Sequence, residues 1–270
     1  MPVRKKDEVV ASATAYVLGE LKQKAAPGTI TGMRKFGMRV ENRLGVSMPD
    51  IRQIAREVGD DHQLALALWK TGIAEARIVA SIIADPDRIT QRQAEQWVKT
   101  FNSWDVCDQV CQNLFDKTPW AWKMVRVWAK RDEEYIKRAA FSLLACLAWQ
   151  DKHAVDERFV ALFPIIKNAA RDERNFVKKA VNWALRNIGK RNHRLHHEAF
   201  QLAKEIQGMG SSAARWIAAD AIRELGSTAI RRKVMKKSKG QEVSTNLTHN
   251  RHKTRSDHTE PSIRPDQPAV

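Results

Sequence analysis

The segment Phe101–Gln109 brings an aromatic ring and a carboxylate together in a way that could support chemistry. It reads FNSWDVCDQ, with Ser103 placed as a helix N-cap and Trp104 in the first turn. Trp104 and Asp108 are four residues apart, so a helix puts both side chains on one face. Spacing alone favours a plainer interpretation, in which Trp104 is core and Asp108 is salt-bridged on the surface. The alternative is that the pair belongs to a catalytic or binding site.

Basic residues interleaved with tryptophan form a second candidate site. In FVKKAVNWALR, Trp183 is one helical turn from Lys179 and from Arg186. Nucleic-acid grooves use this combination, because cations pair with phosphates and an indole stacks on a base or sugar. The alternative is an ordinary solvated face.

The familiar enzymatic signatures are missing from the sequence. It has no glycine-rich phosphate loop, no G-x-S-x-G and no H-E-x-x-H. Cys107 and Cys111 share a helix face and could be combined with histidines as a zinc site; the histidines considered are His193, His196 and His197. No second Cys pair at zinc-finger spacing exists, and these cysteines are more typical of small packing residues. The sequence therefore predicts no metal and no cofactor.

The elements that must position these residues are predicted to be repeated helices. Apolar residues recur at helical spacing and no stretch shows sustained alternation, which predicts an all-α fold. The triplet RDE at 131–133 returns at 171–173, YIKRA at 135–139 is matched by FVKKA at 176–180, and a weaker copy begins at Arg215. A period of about 40 residues is that of HEAT-like repeats, which predicts a curved α-solenoid with a basic concave face. Chance similarity between Ala/Leu-rich helices is the alternative.

The net positive charge of the chain indicates an anionic binding partner. Lys and Arg number 47 against 31 Asp and Glu, a formal net charge of +16. Residues 231–270 hold ten Lys and Arg and four Asp and Glu, and subtracting that +6 from +16 leaves +10 for residues 1–230. Nucleic acid ranks ahead of an acidic protein or a membrane surface. A repeat array aligns four basic residues in a stripe along the concave face: Arg138, Lys178, Lys179 and Arg215.

The helical pattern ends near residue 230. A basic run follows, and then a segment rich in Ser, Thr, Asn, His and Pro, so we expect a helical domain over 1–230 and a flexible basic tail over 231–270. The longest apolar run, Ala139 to Trp149, has 11 residues. A spanning helix needs roughly 18 or more, so no membrane span is expected. The N-terminus leads into no signal-peptide core, and three cysteines point to a reducing cytoplasm.

Five short motifs resemble the AlkD-like DNA alkylation repair family, whose HEAT-like solenoids act as DNA glycosylases on alkylated purines. They follow the family's order over about residues 10–230 and read LGVSMPDIR at 44–52, EAR at 75–77, SWDVCD at 103–108, KRAA at 137–140 and KKAVNWALR at 178–186. The resemblance implies that Trp104, Asp108 and Trp183 line the cleft that faces the lesion. It also implies that Arg138 contacts a backbone phosphate. Ser103 departs from the family's best-known members, which carry a second tryptophan there.

The resemblance implies a base excision repair enzyme that hydrolyses the N-glycosidic bond of cationic N3- or N7-alkylated purines. A cationic base is already a good leaving group, so the enzyme needs an anion beside the oxocarbenium-like sugar. At an effective dielectric near 20, a carboxylate about 4 Å from a unit positive charge contributes roughly 4 kcal/mol, or about a thousandfold in rate. Asp108 is the expected anion, and Trp104 and Trp183 are expected to pack against the sugar and backbone.

The expected partner is double-stranded DNA carrying alkylated purines, bound by a monomer in the cytoplasm that is nucleoid-associated when on DNA. The expected DNA-binding residues are Arg138, Lys178, Lys179, Arg186 and Arg215. One alternative is a non-catalytic HEAT-repeat protein that binds damaged or branched DNA. Another is a protein-interaction scaffold, which ranks last because it does not need Asp108 between two indoles in a basic groove.

Overall fold

The chain is built from helices throughout the part that the structure describes. The computed structural model describes the backbone of residues 2–236 and the side chains of residues 7–236, with no strand in that range. The helices up to residue 225 are α1 (Pro2–Gln23), α2 (Pro27–Lys35), α3 (Met48–Val58), α4 (His62–Lys70), α5 (Ala74–Ile83), α6 (Gln91–Val98), α7 (Trp104–Asn113), α8 (Ala121–Trp128), α9 (Glu134–Gln150), α10 (Asp156–Val160), α11 (Phe163–Ala169), α12 (Asn175–Gly189), α13 (His193–Gln207) and α14 (Ser212–Leu225). A 3₁₀ turn at Phe115–Lys117 follows α7. The all-α prediction is confirmed.

Polar residues at helix starts explain several of these boundaries. Ser47 caps α3, where its side chain accepts from the N–H of Asp50. Thr90 starts α6 with a capping box, since its side chain accepts from Gln93 N–H and Gln93 Oε1 accepts from Thr90 N–H at 2.9 Å. Ser103 holds the N-cap position of α7, but its side chain makes no capping bond. The prediction of Ser103 as the N-cap residue is confirmed for the position but is wrong for the capping bond, and its hydroxyl has another use.

The helices form two layers of a solenoid. Within pairs, α4 packs on α5, α8 on α9, α11 on α12 and α13 on α14. The second helices of successive pairs also pack side by side in the order α3, α5, α7, α9, α12 and α14, and we call this row the second-helix layer. Every predicted site residue lies in this layer.

The register between neighbouring helices of this layer agrees with the sequence repeat. Arg138 on α9 donates to the carbonyl of Phe176 on α12, and the Asn187 amide on α12 donates to the carbonyl of Ala145 on α9. These partners are 38 and 42 residues apart, and a bond between α12 and α14 also joins residues 38 apart. Each helix thus lies beside its counterpart from the previous repeat. The predicted HEAT-like α-solenoid is confirmed.

Helix α9 is largely enclosed by its neighbours. Twelve of its 17 residues are buried, so it has neighbours on nearly all sides, among them α7, α8 and α12. Two of the buried residues, Arg138 and Ser142, are polar. A buried guanidinium or hydroxyl is costly unless it has hydrogen-bond partners inside the protein. The partners of Arg138 and Ser142 define the candidate site.

The C-terminal end of the described chain extends past the expected domain boundary. Residues 228–236 are helical, and Val234 within them is buried. Most of the expected tail, residues 237–270, lies outside the described residues, so the boundary and the tail stay predictions. No helix between residues 2 and 236 combines the length and the apolar character that crossing a bilayer requires.

Candidate functional site

A buried ion pair joins α7 to α9 in the second-helix layer. Arg138 Nε donates to Asp108 Oδ1 at 3.0 Å and Nη2 donates to Oδ2 at 2.7 Å. Ser142 Oγ donates to Oδ1 at 2.7 Å. The side chains of Arg138 and Asp108 are 6% and 15% exposed. A two-point contact of this kind fixes the orientation of the carboxylate, and we call these three residues the Asp108 cluster.

Burial and charge act in opposite directions on the Asp108 cluster. Burial raises the pKa of Asp108, while the Arg138 guanidinium and the Ser142 hydroxyl oppose that rise. Burial acts to lower the pKa of Arg138, but the charge of Asp108, its hydrogen bond and the neighbouring thiols together raise the pKa. The pair therefore keeps an ionised arginine, whose charge offsets that of the carboxylate.

The carboxylate of Asp108 retains one free position for a hydrogen bond. A carboxylate has about four lone-pair sites. Two donors reach Oδ1 and one reaches Oδ2, which leaves a site on Oδ2. The side chain as a whole is 15% exposed, so solvent reaches part of Asp108.

The indole of Trp104 lies against the Asp108 cluster. The guanidinium carbon of Arg138 is 5.9 Å from the centroid of the Trp104 ring, within the range of a cation–π contact. Trp104 Nε1 donates to the carbonyl of Phe36 at 3.1 Å, and the side chain is partly exposed. The structure thus brings together Trp104, Asp108 and Arg138.

Arg138 is bonded inside the protein. All three guanidinium nitrogens donate there, two to Asp108 and Nη1 to the carbonyl of Phe176 at 2.6 Å. A direct contact with a phosphate would require this buried pair to open. The contact of Arg138 with backbone phosphate stays a prediction, and in the structure the arginine holds Asp108 in place.

A second ion pair of the same design lies almost one turn earlier on α7. Arg43 Nη1 donates to Asp105 Oδ2 at 2.7 Å, Nη2 donates to Oδ1 at 3.0 Å, and Ser103 Oγ donates to Oδ1. Arg43 and Asp105 are 3% and 15% exposed. Ser103 Oγ also accepts from the N–H of Arg39 at 3.2 Å. Sequence reasoning missed this pair, because Arg43 and Asp105 are far apart in the chain.

Residues 36–47 connect α2 to α3, and we call them the crossing segment because they pass over the first turn of α7. Gly37 has a φ of +77°, and a Cβ atom there would come within 3.0 Å of the Phe176 ring on α12. The ring of Phe176 stacks on Tyr135 with centroids 5.7 Å apart. Phe36 is 73% exposed beside Trp104. The crossing segment therefore borders the Asp108 cluster.

Two of the sequence motifs fold into one anchor for the crossing segment. The buried carboxylate of Glu75 accepts from the N–H of Leu44 at 3.0 Å and from the N–H of Gly45 at 2.8 Å. Gly45 has a φ of +79°, and a Cβ atom there would lie 2.5 Å from the carbonyl oxygen of Ala26. Only glycine fits this turn without a shift of the backbone. The motifs at 44–52 and 75–77 thus hold the end of the segment.

The other predicted DNA-binding residues fall into two groups. Arg186 is paired with Glu224 and lies 3.4 Å from Asp220, so its charge is offset. Among the described residues, the remaining three have no carboxylate partner: Lys178, Lys179 and Arg215. Lys179 and Arg215 are exposed, and Lys178 Nζ is 5.5 Å from the Trp216 ring centroid. These three cations on α12 and α14 are available to an anion.

Trp183 lies beside a cavity of about 810 Å³ in the second-helix layer. The cavity begins one helical turn beyond the Asp108 cluster. Gln112 and Cys146 line it, and they follow Asp108 and Ser142 by four residues each. Asp108 itself does not line the cavity, so Trp104 and Trp183 belong to successive parts of one surface.

The cysteines considered as zinc ligands are packed between helices. Cys107 and Cys111 are buried, and each Sγ faces a backbone carbonyl of α9, those of Tyr135 and Ala139. Burial raises the pKa of the Cys111 thiol. From residue 7 to residue 236, no three His, Cys, Asp or Glu side chains lie close enough to hold a metal ion. The zinc interpretation has no geometric support within that range.

Comparisons with known proteins agree with the architecture described above. A family model described as "DNA alkylation repair enzyme" matches residues 17–225. A solved structure described as "A new family of proteins related to the HEAT-like repeat DNA glycosylases with affinity for branched DNA structures" is similar, with a TM-score of 0.64 and 21% identity over 78% of this chain and 94% of that chain. At that identity the likeness shows the fold. No curated protein sequence matches the chain.

Proposed function

Because the chain belongs to the DNA alkylation repair enzyme family, we propose that it is a DNA glycosylase that excises cationic N3- or N7-alkylated purines from duplex DNA. The observation that carries the proposal is the Asp108 cluster, an oriented carboxylate beside an indole with one acceptor site left for water. The proposed enzyme acts as a monomer on nucleoid DNA in the cytoplasm and needs no cofactor.

In the proposed reaction the alkylated base leaves without a general acid. The bond between C1′ and the base nitrogen breaks, and its electron pair neutralises the positive charge of the base. Asp108 stabilises the positive charge that develops on the sugar, and its free Oδ2 site orients the water that attacks C1′. That water releases its proton to solvent.

The pairing with Arg138 lowers what Asp108 contributes to the rate. An isolated carboxylate about 4 Å from a unit charge is worth roughly 4 kcal/mol at an effective dielectric near 20. The Arg138 guanidinium, 2.7 Å from Oδ2, offsets part of that field. We therefore expect an acceleration from Asp108 below the thousandfold that the isolated carboxylate would give.

Duplex DNA is proposed to lie along the second-helix layer. Lys178, Lys179 and Arg215 contact phosphates, since in the described chain they lack carboxylate partners. Trp104 and Trp183 pack against the sugar and backbone near the lesion. The affinity for branched DNA structures named for the similar solved protein supports DNA as the partner.

The proposal is tested by release of 7-methylguanine or 3-methyladenine from methylated DNA. Asp108→Asn is expected to lower excision at least about tenfold and to leave duplex binding nearly intact. Asp105→Asn is the matched control, because it breaks the twin ion pair on the same helix at the same 15% exposure. Equal excision by Asp108→Asn and the parent protein contradicts the role of Asp108.

A second candidate function is non-catalytic binding of damaged or branched DNA. It is favoured by one observation, that three donors already occupy Asp108 and one of its donor groups is cationic. If the parent protein binds methylated duplex but releases no alkylated base, this second function replaces the first.

A further inference from the structure

The cavity beside Trp183 has the chemistry of a nucleotide site. Its volume of about 810 Å³ lies within the range of about 300–1,000 Å³ that small-molecule ligands occupy. Trp149 and Trp183 line it, and Trp149 is 58% exposed, so an indole face is open to a planar ring. Base–indole stacking does not depend on base identity, because every base has a π-face.

Positive charge predominates around the cavity. Its lining holds four cationic side chains and one carboxylate, that of Asp156: the cations are Lys152, Lys190, Arg191 and Lys233. Lys190 is paired with Glu224, and Arg191 donates to two backbone carbonyls. Lys152 and Lys233 are exposed and have no carboxylate partner within the described chain, and Lys152 Nζ donates to the carbonyl of Trp149. No carboxylate between residues 7 and 236 offsets either charge, so both cations can pair with a phosphate at the cavity.

The cavity continues the surface on which the duplex is proposed to lie. It starts one helical turn from the Asp108 cluster on α7 and α9. Resting on the proposed function, we infer that this cavity binds one unpaired nucleotide of a DNA strand whose duplex occupies the second-helix layer. The base stacks on Trp149, and Lys152 and Lys233 pair with its phosphate.

The inference is tested with two short duplexes that differ by one unpaired adenosine bulge. The protein is expected to bind the bulged duplex about tenfold more tightly than the continuous one, the usual scale of one base stacked on an aromatic ring. Trp149→Ala and Lys152→Gln are expected to remove this preference and to leave affinity for the continuous duplex within about twofold. Both residues are exposed, so neither substitution disturbs the core.

A control variant and two further measurements identify the occupant. Tyr16→Ala, which removes an aromatic side chain that is 54% exposed on α1, is expected to keep the preference. A 2-aminopurine in the bulge is expected to lose fluorescence on binding the parent protein, since stacking quenches it, and to lose less with Trp149→Ala. Free deoxyadenosine monophosphate is expected to compete only weakly with the bulged strand.

The contradicting outcomes separate the inference from the proposed function. Equal binding of the two duplexes overturns the inference, while excision of alkylated bases from continuous duplex still supports the glycosylase. Strong binding of free deoxyadenosine monophosphate without preference for the bulge also overturns it. Failure to bind either duplex overturns the proposed function and the inference with it.

Discussion

Asp105 and Asp108, three residues apart on α7, each hold an arginine by two hydrogen bonds and accept a serine hydroxyl on Oδ1, Arg43 through Nη1 and Nη2 and Arg138 through Nε and Nη2. The arginine of Asp105 is Arg43 from the crossing segment, and that of Asp108 is Arg138 from α9. Helix α7 is therefore joined by buried charge to an element on each side. The structural effect of a substitution in one pair can therefore be judged against the same substitution in the other pair, which serves as its control.

Arg138→Met is expected to lower the free energy of unfolding by about 3–5 kcal/mol, because it leaves Asp108 buried without its counter-charge. Urea denaturation measures this change. Adding Asp108→Leu to Arg138→Met is expected to recover most of the loss, since no unpaired charge is then buried. A loss below about 1 kcal/mol for the single variant would show that the pair is open in solution.

Lys179→Ala is expected to weaken binding of all DNA sequences alike. It should also reduce the slope of log K against log salt by about 0.9, the value for one phosphate contact. The control is Lys70→Ala, an exposed lysine on α4 in the other layer, which is expected to leave the slope unchanged. If the two variants have the same slope as the parent protein, Lys179 does not contact phosphate.

Asp116→Asn is expected to stabilise the protein more at pH 8 than at pH 5. Burial raises the pKa of Asp116 to about 7, and its Oδ1 is buried without a hydrogen-bond partner. The folded chain keeps this proton up to pH 7, whereas the unfolded chain loses it near pH 4, so the wild-type carboxyl costs stability as pH rises between them.

The pKa of Asp116 in the folded protein, about 7, lies two units above pH 5. The stability gained by Asp116→Asn is therefore expected to be larger at pH 8 than at pH 5 by about 3 kcal/mol. Urea denaturation of both proteins at the two pH values measures it. A gain that is independent of pH would mean that Asp116 titrates in the folded protein near its ordinary pKa.

Gly37→Ala is expected to cost more stability than Gly210→Ala. Both glycines have a positive φ, +77° and +80°, so each substitution carries about 1–2 kcal/mol of backbone strain. A methyl group at Gly37 also meets the Phe176 ring, while nothing lies within 4 Å at Gly210. Thermal unfolding of the two variants compares them directly, and equal losses would show that the ring moves aside freely.

The fold could be predicted from the sequence because helical repeats produce patterns among residues that are close together in the chain. The RDE triplets and the two helices that follow them are one period apart in the chain, and the same period appears as contacts between α9 and α12. The capping box at Thr90 is equally local. By contrast, the Ser103 hydroxyl serves Arg39 and Asp105, a choice that depends on a segment more than 60 residues away.

The sequence predicted which residues belong to the candidate site better than it predicted the hydrogen bonds and ion pairs between them. Helical spacing identified Trp104 with Asp108, because four-residue neighbours share a face. It could not show that Arg138 belongs to Asp108, since the two are 30 residues apart on different helices. For the same reason it could not show that Glu224 of the next repeat lies beside Arg186, one of the expected DNA-binding residues.

The crossing segment changes how the repeats of the solenoid can unfold. In a solenoid each repeat normally touches only its neighbours, so an end repeat can fray alone. Here residues 36–47 touch α7 through Arg43 and reach the Phe176 ring on α12 through Gly37. Opening of the N-terminal helices together with the crossing segment must therefore also break contacts with α7 and α12 in the middle of the array.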